Sequence, residues 1–118
     1  MRSELDQMRL LICSSCAGAR DCGAEVKAVE SALTRAGIEG RVSVDQHACF
    51  SGCAEPVAIA LQADGGATYV FSGVDVASDA DDIVATCRTY LESPKGWIED
   101  ARPCGRLRMC LRARIPAF

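Results

Sequence analysis

The placement of the cysteines constrains this chain more than any other feature. Cys13, Cys16 and Cys22 fall in one stretch, and Cys49 and Cys53 in a second. Each group follows a short segment that reads as a strand. The apolar run Arg9-Leu10-Leu11-Ile12-Cys13 leads into the first, and the alternating Arg41-Val42-Ser43-Val44-Asp45 leads toward the second. A fold that sets these two strand ends side by side therefore brings two thiol clusters to one place. Cys87, Cys104 and Cys110 are scattered toward the C-terminus.

The rest of the pattern supplies such a fold. Between the two strands, Val26, Val29, Leu33 and Ala36 recur at helical spacing over residues 24–36, and Gly37 is placed to end that helix in the left-handed conformation. Residues 57–62 and 67–71 are apolar runs around Ala63-Asp64-Gly65-Gly66, a hairpin signal because such turns need positive φ. Ser78 is positioned to begin a second helix, with Asp81 as a capping-box-like acid. Its apolar stripe is Ala80, Ile83, Val84, Cys87, Tyr90 and Leu91. The order is strand, helix, strand, hairpin, helix, or β1-α1-β2-β3-β4-α2. The first three elements favour a right-handed parallel crossover. The expected fold class is α/β: a small mixed sheet covered by two helices in a thioredoxin-like arrangement over residues 9–93. Beyond it, residues 94–118 show no periodicity, and Pro94, Pro103 and Pro116 oppose a long helix. An irregular basic C-terminal extension is expected there.

Composition narrows the function classes. A chain of 118 residues is about one domain, and no segment approaches the roughly 20 apolar residues of a membrane span. The first residues, Met1-Arg2-Ser3-Glu4-Leu5-Asp6, carry early acids and no long apolar core, which predicts no signal peptide and a cytoplasmic location. In a reducing compartment, eight cysteines point to metal or redox chemistry rather than disulfides. Residues 1–94 carry a net charge of −7 and residues 95–118 a net charge of +4. The acidic body argues against nucleic-acid binding and suits docking on a basic protein partner. The basic end holds Arg102, Arg106, Arg108, Arg112 and Arg114, either as a solvated tail against the acidic body or as a docking segment for an acidic partner.

Open sheets place ligands beyond the carboxyl ends of parallel strands, where both cysteine groups fall. Cys13 with Cys16 or Cys22 from one side, and Cys49 with Cys53 from the other, form a four-thiolate set able to hold a [2Fe–2S] cluster or one zinc ion. Cys13-x2-Cys16 has the spacing of a zinc knuckle and Cys49-x3-Cys53 is compatible with one, so spacing leaves both metals open. His47, the single histidine, reads as a hydrogen-bonding or solvent-facing residue, and Cys87 as a small core residue. Cys104 and Cys110 read as thiols of the basic extension, and Trp97 as packing over a sheet edge. Asp79, Asp81 and Asp82 read as a helix start rather than a calcium site.

The pattern resembles the thioredoxin-like [2Fe–2S] ferredoxins, and within that group it is similar to a family of small bacterial proteins described as predicted metal-binding. Leu11-Ile12-Cys13-Ser14-Ser15-Cys16, Cys49-Phe50-Ser51-Gly52-Cys53 and Pro56-Val57-Ala58-Ile59-Ala60-Leu61-Gln62 carry the likeness. Ala67-Thr68-Tyr69-Val70-Phe71 and Ser93-Pro94-Lys95-Gly96-Trp97 extend it over most of residues 9–98. The resemblance implies that Cys13, Cys49 and Cys53 are cluster ligands. It points to Cys16 as the fourth through the close family and to Cys22 through the wider group, with Cys16 preferred. Where many close members carry a further cysteine after the C-x3-C pair, this chain has Val57.

Three functions follow as expectations. The first is a one-electron carrier or redox accessory protein holding [2Fe–2S] at Cys13, Cys16, Cys49 and Cys53. The second is a module handling zinc or another soft metal. The third and weakest is a thiol–disulfide oxidoreductase using Cys13-x2-Cys16, which lacks the usual aromatic-Gly-Pro setting and the position at a helix start. The expected partner is a protein redox partner or metal acceptor, with a homodimer allowed and no nucleic acid or membrane. No catalytic triad, paired-carboxylate or phosphate-loop pattern argues for an enzyme.

Overall fold

Alternation in the strand Met8–Cys13 (β1) buries Leu10 and Ile12 on one side and leaves Arg9 and Leu11 at least partly exposed on the other. That strand is interior to the sheet, with a neighbour on each side. The structure is a computed structural model and describes residues 7–13, 22–47, 58–93, 96–98 and 101–115, with the side chains at 13, 22 and 47 outside the description. The further elements are α1 (Cys22–Ala36), β2 (Val42–His47), β3 (Ile59–Gln62), β4 (Thr68–Phe71), α2 (Ala80–Glu92), a 3₁₀ segment (Arg102–Met109) and β5 (Leu111–Ile115). They make a five-stranded mixed sheet in the order β2-β1-β3-β4-β5, with β1 parallel to β2 and the other pairings antiparallel.

Register explains the core. Leu10 pairs with Leu61 and Ile12 with Ile59, and these pair onward with Tyr69 and Phe71. All six are buried on one sheet face and share one apolar cluster with Val29 and Leu33 of α1 and Ile83, Cys87, Tyr90 and Leu91 of α2. Each fully buried aliphatic of this kind stabilises the fold by about 1.5–3 kcal/mol. The stripe expected for α2 is buried in full, joined by Thr86, whose hydroxyl donates to the Asp82 carbonyl at 2.7 Å. α1 ends where Gly37 takes φ 76°, with Ile38 N–H donating to the Leu33 carbonyl at 3.1 Å, a Schellman closure. Among the described residues no helix is long and apolar enough to cross a membrane.

The start of α2 differs from expectation. Helix geometry begins at Ala80 rather than Ser78, and Asp79 in the capping position does not cap with its side chain. Its carboxylate instead accepts the Asp75 N–H at 3.0 Å and the Arg106 guanidinium at 2.6 Å. A charged partner from outside the helix outcompetes the local cap.

The irregular C-terminal extension is also corrected. Residues 102–109 turn over α2 and bury Cys104 and Leu107, with Cys110 following them into the same core. Residues 111–115 then pair with β4 as the fifth strand, with a register shift at Val70/Phe71. The 102–109 segment is two short turns joined at Gly105, whose φ 60° and ψ −130° are not helical, so no single period runs through Cys104, Leu107 and Cys110 for a 3.6 or a 2.0 template to detect. Gly105 makes this docking possible. It takes φ 60°, and a Cβ there would lie 2.5 Å from Asp82 Oδ1. Asp82 meanwhile accepts the Arg106 backbone N–H at 3.1 Å, and Arg106 reaches the Gly73 carbonyl at 3.1 Å.

Residues 96–98 bind the same end of the sheet to the core. Ile98 N–H donates to the Tyr69 hydroxyl at 2.7 Å, and Tyr90 donates to the Ala67 carbonyl at 2.6 Å. The two tyrosine rings meet edge to face with centroids 6.0 Å apart. Trp97 lies under the Arg114 guanidinium, 4.1 Å from ring centroid, which sets it against the β5 edge as expected.

Candidate metal centre

The candidate site is built from strand ends. β1 and β2 run parallel in a register that pairs Cys13 with His47, so the first cysteine group and the run-in to the second begin side by side. β3 enters on the other flank of β1, with Ile59 opposite Ile12. The chain thus leaves the sheet beside Cys13 on one side and returns beside β1 on the other, about 10 Å away at two strand spacings. Since β1 and β2 are parallel, α1 must run back between them, which sets its first residue, Cys22, at that same carboxyl end. An amino-terminal helix end carries partial positive charge and favours the thiolate form of a nearby cysteine.

Of the five candidate ligands, the backbone of Cys13 and Cys22 is therefore at one end of the sheet. Cys16, Cys49 and Cys53 lie outside the described residues, as does the side chain of His47. Among the described residues no three His, Cys, Asp or Glu side chains converge as a metal-binding group.

The C-terminal cysteines have another environment. Cys87, Cys104 and Cys110 are thiols, and all three are buried. Burial pushes the Cys87 thiol up to about 12, with the neighbouring Cys104 adding to the effect. Burial also raises Cys110, against the lowering influence of Arg106. Arg106 Nη1 donates to Cys110 Sγ at 3.6 Å, and the thiol reaches back to the Arg106 carbonyl at 3.7 Å. Such protonated thiols pack and hydrogen-bond, whereas metal ligation needs thiolates. Cys87 is a core residue, as its place on the stripe predicts. Cys104 and Cys110 join the core too, against the expectation of a solvated extension.

No curated protein and no solved structure matches the chain significantly. One family does, over residues 10–117, a span that includes both strand ends, the hairpin, both helices and the C-terminal strand. With nearly its whole length matched, the chain belongs to the family described as "Protein of unknown function (DUF1636)".

Proposed function

We propose that this protein holds a [2Fe–2S] cluster through Cys13, Cys16, Cys49 and Cys53 and serves as a one-electron carrier or redox accessory protein. The observation that carries the reading is the pairing of Cys13 with His47 at the adjoining ends of parallel β1 and β2. Cys49 follows His47 by two residues in sequence, so at most about 7 Å of chain separates it from the strand end that pairs with Cys13. β2 and β3, which precede and follow the second cysteine group in sequence, flank β1 on opposite sides. The sheet order β2-β1-β3-β4, with β3 antiparallel to β1, supports a thioredoxin-like core to which β5 is added.

A cluster held by four thiolates supplies one-electron chemistry at a potential set by hydrogen bonding, charge and exposure. The chain's own contribution is to fix Cys13 at the end of an interior strand, where pairing with His47 of β2 holds its backbone and pairing with β3 reaches the preceding Ile12. The amino end of α1 favours thiolate charge at the same place. Cys22 begins that helix and competes with Cys16 as the fourth ligand.

Anaerobic purification followed by iron, acid-labile sulfide and zinc analysis tests the reading. A brown protein with iron and sulfide in equal amounts is expected, and Cys→Ser at 13, 49 or 53 abolishes the colour. Cys16→Ser does the same while Cys22→Ser does not. A colourless protein with stoichiometric zinc and no iron overturns the cluster and leaves a zinc site on the same residues.

A further inference from the structure

We propose that the outer edge of β5 is a docking site for an extended, acidic segment of a protein partner, which adds to the sheet as a sixth strand. β5 is the outermost strand on its side among the described residues, and an edge strand is a template for further pairing. The surface around it is unusual for this molecule. Met109, Leu111 and Ile115, at 79%, 40% and 54% exposure, are the exposed large hydrophobic residues among those described, and all three fall within this one segment. They interleave with exposed Arg108, Arg112 and Arg114, and residues 101–118 contain no acid.

Two of these arginines are held in place. Arg114 stacks on Trp97 and donates to the Ile98 carbonyl at 3.5 Å, so its contacts are with neutral groups. Arg112 donates to the Ser72 hydroxyl at 2.6 Å. Ordering the guanidiniums in advance lowers the entropy cost of meeting a carboxylate. Arg106, by contrast, is committed to buried Asp79 and belongs to the fold.

The same charges select the occupant. A second copy pairing antiparallel about Ala113 sets Arg112 of each chain against Arg114 of the other, and like charges directly opposite destabilise a ladder. The register shift near Arg112 further discourages indiscriminate edge pairing. A segment alternating Glu or Asp with apolar residues meets the same register shift but not the repulsion, setting an acid opposite Arg114 and apolar side chains opposite Leu111 and Ile115.

The test uses the full chain and two peptides about as long as β5, one alternating Glu and Val and the other alternating Lys and Val. The Glu–Val peptide is expected to bind and to slow amide exchange at residues 111–115, and the Lys–Val peptide is not. Arg108→Glu with Arg112→Glu weakens binding by about tenfold or more. Arg108→Glu alone, at an exposed position outside the sheet, weakens it less while leaving the circular dichroism unchanged. Equal binding of both peptides, or protection elsewhere, overturns the proposal. So does binding to phosphatidylserine vesicles without peptide binding, and so does self-association that protects β5 without peptide. None of these outcomes depends on the metal content.

Discussion

Cys13 ends β1, an interior strand of the sheet, and pairs with His47 at the end of β2. Cys87 on α2 and Cys104 on the 3₁₀ segment sit at 0% and 3% exposure inside a single apolar cluster. The residue type is the same and the setting differs. Burial among apolar side chains pushes the Cys87 thiol up to about 12 and holds it protonated, whereas the proposed cluster needs Cys13 as a thiolate. Cysteine count alone therefore says little about a metal site in this chain. Position relative to the sheet's carboxyl end separates candidate ligands from packing residues.

The largest effect expected from breaking this contrast is on metal content. On the proposed function, Cys13→Ser is expected to abolish iron and sulfide content, whereas Cys87→Ala is expected to retain both and cost only stability, as elemental analysis of the two purified variants reads directly. Next is the core that encloses the second group. Leu107→Ala, at a fully buried position of the 3₁₀ segment, costs about 2–5 kcal/mol by urea unfolding. A smaller loss follows for Arg106→Met, which strips buried Asp79 of its 2.6 Å partner and costs about 1–3 kcal/mol in the same assay.

The protonated state of Cys87 gives a pH test. Its thiol rises from 9.0 to about 12 on folding, so between those values the folded chain keeps a proton that the unfolded chain has lost. Its contribution is complete below pH 9 and disappears as the pH climbs through the folded value. Stability thus falls with rising pH across that window, and Cys87→Ala flattens the slope by as much as one proton in alkaline unfolding titrations. Burial lifts Tyr90 as well, to about 12, and that part of the slope persists in the variant except for the smallest share, which Cys87 itself contributes. The smallest effect belongs to the exposed Arg35–Asp81 pair at 3.1 Å, where Arg35→Ala changes stability by under about 0.5 kcal/mol.

Legibility varied along the chain for definite reasons. β1, β2, the hairpin and both helices follow periods of 2.0 and 3.6 and come within a few residues of their expected bounds. Asp79 was hidden because its partner, Arg106, lies 27 residues away. β5 alternates Leu111, Ala113 and Ile115 with two arginines, yet it sits at a sheet edge with no buried face, so its pattern looks like a charged tail. The 3₁₀ segment was hidden because Gly105 breaks it into two turns too short to show a period.

By itself the sequence determined which short segments fold locally and that two cysteine groups follow two strands, because apolar periodicity and turn residues act over a few residues. Tertiary structure alone decided that β1 lies between β2 and β3 and that Cys13 pairs with His47. It also decided that the arginine-rich end buries Cys104 and Leu107 and adds β5 to the sheet. Those outcomes depend on hydrogen-bond register and shared burial between residues far apart in the chain, which no local pattern encodes.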